Sequence, residues 1–104
     1  MKLYIDTSKR EEITIGLDNE TFTTSSKKEK SQKLLPFIDE VLKKKRKALK
    51  DITEVKVNTG PGSFTGLKVG VSVAQTLSWS LEIPVNGKDL KKGESIDIKY
   101  KYEQ

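Results

Sequence analysis

The chain has 104 residues, of which 34% are hydrophobic, with 20 lysines and arginines against 15 aspartates and glutamates for a formal net charge of +5. That length suits one domain burying roughly two-thirds of its unfolded surface, and no apolar run approaches the ~20 residues of a membrane span. Cysteine and histidine are both absent from the sequence, which excludes disulfides, thiolate zinc sites and mechanisms that need an imidazole base or ligand. Met1-Lys2-Leu3-Tyr4 does not have a signal-peptide pattern, so a cytoplasmic location is expected. The basic balance permits contact with nucleic acid or an acidic partner without demanding it.

Lys2–Thr7 alternates, with Leu3 and Ile5 on one face and Tyr4 and Asp6 on the other, and predicts a first strand. After a turn at Thr7–Arg10, Glu11–Leu17 alternates again with Ile13, Ile15 and Leu17 on its apolar face. Asp18-Asn19 is a hairpin signal, because both residues tolerate positive φ. Glu20–Ser25 is β-rich but polar apart from Phe22, which suits an edge strand. Beyond a charged loop at Ser26–Lys30 the period turns helical, with Leu34, Leu35, Ile38, Val41, Leu42 and Leu49 recurring at 3.6 spacing. Ser31 is the expected N-cap, and the early Pro36 predicts an irregular first turn. Lys43-Lys44-Lys45-Arg46-Lys47 ends this helix, where cations suit the dipole. The same run admits a nuclear-import or RNA-binding reading.

Glu54–Thr59 predicts a fourth strand with Val55 and Val57 inward. Gly60-Pro61-Gly62 is a tight turn, Ser63 or Thr65 a cap, and the run to Leu81 a long helix. Ile83-Pro84-Val85 reads as a short strand, Asn86-Gly87 as a turn, Lys88–Ser95 as a polar loop and Ile96–Tyr102 as a last strand or ordered tail. The expected architecture is α/β, a single ribonuclease-H-like lobe of the type that actin-like ATPases use twice. Its order is β-β-β-α-β-α-β on a mixed sheet over residues 1–87, with a tail at 88–104.

In the long helix, Gly66, Gly70, Ala74 and Ser78 fall at i, i+4, i+8 and i+12 and form a row almost without side chains. Leu67, Val69, Val71, Val73, Leu77 and Leu81 flank it, so the apolar arc is about twice the roughly 100° of an ordinary surface helix. Such a helix needs cover on two sides. One side is its own sheet; the other is expected to be a foreign helix lying along the small-residue row, the alternative being the rest of the same chain. The expected interface comprises Gly66, Leu67, Gly70, Val71, Val73, Ala74, Leu77 and Ser78, assisted by Leu34 and Ile38 of the first helix. On that reading, Gly70→Leu abolishes pairing and spares the fold.

Asp6 ends the first strand, where such folds place a catalytic or metal-binding carboxylate. A two-metal nuclease or phosphotransferase needs further carboxylates converging on it, and the fourth strand ends in Asn58 and Thr59 instead. No catalytic residue, metal ligand or cofactor is therefore assigned. Asp6, Thr7, Gly60, Gly62 and Ser63 mark an anion or nucleotide vicinity, since free N–H groups at a helix N-terminus can cradle phosphate. The loop lacks the Gly-Lys-Ser/Thr of a Walker A motif, and a turn that aims the long helix is the other reading. Trp79, on the polar arc with Lys68, Ser72 and Gln75, either packs beneath the tail or anchors an interface.

Ile5-Asp6-Thr7-Ser8, Ser31-Gln32-Lys33-Leu34-Leu35-Pro36-Phe37-Ile38-Asp39 and above all Gly60-Pro61-Gly62-Ser63-Phe64-Thr65-Gly66-Leu67-Lys68-Val69-Gly70 resemble the dimerisation subunits (TsaB/YeaZ type) of the bacterial tRNA threonylcarbamoyladenosine machinery. The resemblance covers residues 1 to about 87. It implies a non-catalytic scaffold that pairs through a helix bundle with the catalytic threonylcarbamoyltransferase subunit, with a small ATPase as third member. It further implies a homodimer when alone, only indirect contact with tRNA and no membrane association. The alternatives are an Asp6-centred metal-dependent enzyme and a basic RNA-binding module. Three departures stand out: the family's second lobe has no counterpart here, Lys30 stands where histidine is common, and Lys68 where arginine is common.

Overall fold

The computed structural model describes residues 1–27 and 29–99. Alternation of apolar residues builds three antiparallel strands, β1 (Lys2–Asp6), β2 (Glu12–Leu17) and β3 (Glu20–Ser25), and a fourth, β4 (Glu54–Val57), lies parallel to β1. The mixed sheet has the order β3-β2-β1-β4. Leu3, Ile5, Ile13, Ile15, Leu17, Val55 and Val57 all turn to one face. There they form a single core with Leu34, Ile38, Val41 and Leu42 of helix α1 (Lys30–Lys44) and with Val71, Ala74 and Leu77 of helix α2 (Phe64–Leu81). Both helices thus cover the same face of the sheet. On the other face Tyr4, Asp6 and Thr14 are half-buried and Lys56 is exposed.

Helix α1 starts at Lys30 rather than after a Ser31 cap. Glu29 takes the cap position in the left-handed region, and its carbonyl accepts from the amides of Gln32 and Lys33. The helix runs on through Pro36. It stops at Lys44 because Arg46 turns left-handed (φ 56°) and the Lys47 amide reaches back to the Leu42 carbonyl at 2.8 Å. Ser63 caps α2, its hydroxyl accepting from the Gly66 amide at 3.4 Å.

Among the described residues the expected short strand at Ile83-Pro84-Val85 is not formed, and of the two readings of Ile96–Tyr102, strand or tail, Ile96–Lys99 follows the tail. Ile83-Pro84-Val85 contributes only one parallel bridge, Val85 to Val55, because Pro84 has no N–H to donate and Asn86 turns left-handed (φ 50°). The Asn86 side chain completes the edge instead, accepting from the Val57 amide at 2.8 Å and donating to its carbonyl at 3.0 Å. With that edge taken, Ile96–Lys99 pairs with no strand among the described residues. Among the described residues its backbone is tied by the Lys99 amide to the Thr59 carbonyl at 2.7 Å, while Ile96 and Ile98 rest half-buried against the core. Tyr100–Tyr102 of the expected last strand lies outside the described residues.

Candidate functional site

The small-residue row of α2 points into the chain's own sheet, which corrects its assignment as the seat of a foreign helix. A Cβ on Gly66 would collide with the Thr7 carbonyl oxygen, and one on Gly70 with the Thr7 hydroxyl. Thr7 is fully buried, and its hydroxyl donates to the Gly66 carbonyl at 2.6 Å. Ala74 is fully buried, and the buried Ser78 donates its hydroxyl to the Ile83 carbonyl. The row is a notch that lets the helix backbone settle on the residue following β1. Leu67, Val71, Leu77, Leu34 and Ile38 are buried with it. Of the expected interface residues, only Val73 keeps appreciable exposed surface.

At the same end of the sheet, Asp6 ties three segments together. Its Oδ1 accepts from the Ser8 amide at 2.9 Å, the Ser8 hydroxyl at 2.6 Å and the Asn58 side-chain amide at 3.1 Å. Burial pushes the carboxyl up, but the hydrogen bonds from Ser8, Asn58 and Tyr4 outweigh it and hold Asp6 below the usual carboxylate range. The amides of Gly60 and Ser63 are also engaged, donating to Asn58 Oδ1 at 2.9 Å and to the Ser8 carbonyl at 2.8 Å. Gly60 sits at φ 119°, which favours glycine. Asp6, Thr7, Gly60 and Ser63 are therefore brought together, with their polar groups turned on one another. Gly62 lies beside Ser8, and with Arg10, Pro61 and Ser63 these two line an open hollow. Among the described residues no group of three or more histidines, cysteines or carboxylates converges as a metal site.

Lys30 reaches across this end from α1, its ammonium donating to the carbonyls of Thr7, at 3.3 Å, and Lys9. Loss of water lowers its pKa, while Asp6 and Glu12 pull the other way. Lys30 is thus a tie between α1 and the turn that follows β1.

What the helices leave outward is a seam between them. Both begin at the Thr7 end, where the Lys30 ammonium lies close to Gly66, and run back along the sheet side by side. Ser31 of α1 and Val69 of α2 line the same shallow hollow. One turn further on, Leu35 is 47% exposed and Val73 is half-buried. Helical spacing from that hollow puts Leu35 on the α1 side of the seam and Val69 and Val73 on the α2 side, with exposed Thr65 and Thr76 next along α2. The expected interface named Leu34 and Ile38, which are buried, and not Leu35. The signal was its neighbour: adjacent Leu34 and Leu35 point 100° apart, and only one is centred on the buried face. On the far side of α2, Phe64, Lys68 and Gln75 face Ile96 and Ile98 across a groove, with the Lys68 ammonium 5.3 Å from the Phe64 ring centre. Trp79 is 57% exposed, its ring 5.5 Å from the Lys91 ammonium.

The family model described as TsaD, tRNA N6-adenosine threonylcarbamoyltransferase, matches residues 21–87. The tRNA threonylcarbamoyladenosine biosynthesis protein TsaB of Buchnera aphidicola (Schizaphis graminum) is 42% identical over 67 residues, 64% of this chain and 32% of that protein. The TsaB protein of Bacillus subtilis is 38% identical over 65 residues, 62% of this chain and 28% of that protein. The solved structure of YeaZ from Pseudomonas aeruginosa superimposes with a TM-score of 0.69 at 26% identity, covering 81% of this chain and 41% of that one. The chain thus spans about a third of the length of the curated relatives it matches.

Proposed function

This chain belongs to the tRNA N6-adenosine threonylcarbamoyltransferase family as a TsaB/YeaZ-type member, and we propose that it acts there as a scaffold rather than as the catalyst. On this reading it takes part in tRNA threonylcarbamoyladenosine formation by pairing with the catalytic threonylcarbamoyltransferase subunit through α1 and α2. It pairs with a second copy of itself when that subunit is missing, and the small ATPase joins the assembled pair.

The observation that carries the proposal is the apolar seam of Leu35, Val69 and Val73 on two parallel helices, within the segment that the family model matches. The buried row of small residues supplies no surface for a partner. Its role is to hold α2 in place beside α1. Support for a non-catalytic role comes from Asp6, whose carboxylate is engaged by Ser8 and Asn58, and from a sequence without histidine.

Sedimentation and mass measurement test the reading, with the chain alone and mixed with the catalytic subunit from the same organism. The expected species are a dimer alone and a one-to-one complex in the mixture. Leu35→Glu should weaken both by roughly 100-fold, since an unpaired charge buried in an interface costs about 3 kcal/mol. Its own fold should be spared, because Leu35 is 47% exposed. Lys56→Glu, on the opposite face of the sheet, should leave pairing intact. Undiminished pairing by Leu35→Glu would place the interface elsewhere.

A further inference from the structure

The far end of α1 carries a charge imbalance that pairing does not use. Between Lys27 and Asp51 lie ten of the twenty basic residues and four of the fifteen acidic ones, so this stretch holds the whole positive excess and the remainder of the chain is close to neutral. From Lys43 to Lys50, six of eight residues are basic and none is acidic, and all six are exposed. Lys43 is paired with Asp39 at 3.1 Å and Lys45 with Glu20 at 2.6 Å. The nearby Asp51 carboxylate is held by the Ala48 amide at 2.8 Å. Among the described residues no ion pair engages Lys44, Arg46, Lys47 or Lys50.

The backbone gathers these four cations into one bend. The helix ends at Lys44, Arg46 turns left-handed, Lys47 bonds back to Leu42, and a 3₁₀ turn over Leu49–Asp51 holds Lys50 close by. Arg46 occupies the position that glycine fills with least strain at a helix end. The bend has no aromatic, asparagine or glutamine side chain with which to stack on a base or read its edge. Its chemistry suits phosphate oxygens alone.

We propose that Lys44, Arg46, Lys47 and Lys50 form a sequence-independent contact for an RNA phosphate backbone. The choice of RNA among polyanions rests on the tRNA-directed reading above. Leu35 lies nine residues back along the helix, roughly 13 Å from Lys44, so RNA and a pairing partner can be held at once.

Fluorescence anisotropy with a labelled, unmodified tRNA transcript tests this on the whole chain. Four neutralised phosphates predict a fall in affinity on the order of 100-fold between 50 and 200 mM salt. Replacing all four residues with glutamate should abolish binding, and Lys47→Ala should lower the salt slope by about one. Arg46→Gly separates contact from folding: it should raise the unfolding midpoint yet weaken RNA binding. No binding at 50 mM salt, unchanged binding by the fourfold variant, or tighter binding to vesicles of anionic lipid than to tRNA would each overturn the assignment. Leu35→Glu should lose pairing while keeping RNA affinity, so the two proposals fail independently.

Discussion

Asp6 shows how a position suited to catalysis can serve as a fastener. Three hydrogen bonds converge on one of its oxygens, linking the end of β1 to Asn58 after β4. Asp6→Ala should cost about 1–3 kcal/mol in urea unfolding, because Asn58 and Ser8 are left partly unsatisfied. The pH dependence has a definite sign. The folded carboxyl lies below its ordinary 3.8, so its contribution is fully present above that value and disappears as pH falls through the lower folded pKa. The gap between parent and Asp6→Asn should therefore be level from neutral pH to about pH 5 and shrink below it. Arg46 and Glu82 present the opposite case, since each ends a helix in the left-handed region. Arg46→Gly and Glu82→Gly should each raise stability by about 0.5–1 kcal/mol in the same assay.

At the scale of elements, the notch under α2 reverses a usual sign. Gly→Ala within a helix ordinarily stabilises by about 1 kcal/mol. At Gly70 the added methyl meets the Thr7 hydroxyl, so Gly70→Ala should cost roughly 1–3 kcal/mol and Gly70→Leu still more. This replaces the expectation that Gly70→Leu spares the fold, and urea midpoints decide it. Asn86→Ala should cost about 1–3 kcal/mol, since its amide closes the exposed edge of β4 with two hydrogen bonds. Four strands and both helices were legible because Leu3, Ile5, Ile13, Ile15, Val55 and Val57 keep a period of two while the helices keep 3.6. The last strands were not, because pairing at β4 is decided by Asn86, a side chain standing in for backbone. The spacing of Gly66, Gly70, Ala74 and Ser78 revealed that something approaches closely, but not what. A buried threonine at the end of a strand satisfies that pattern as well as a foreign helix does.

For the whole molecule, the sheet has its two helices on one face, and their outer seam is the surface proposed for pairing. Association that requires folded α1 and α2 stabilises the fold by mass action. The thermal midpoint of the chain should therefore rise with its own concentration, and in Leu35→Glu that dependence should vanish. Differential scanning calorimetry over a hundredfold range of concentration measures both.

The glycine notch also shapes the outside of the molecule. Side-chain size sets how far a helix stands from what it packs against. Gly66 and Gly70 bring the N-terminal half of α2 directly against Thr7, whereas α1 packs on the core through Leu34, Ile38 and Leu42. Under the pairing proposed above, a visiting helix would meet Val69 and Val73 where that contact with Thr7 places them, so an atom-scale fit to a missing side chain inside the molecule sets the ground a partner finds outside it.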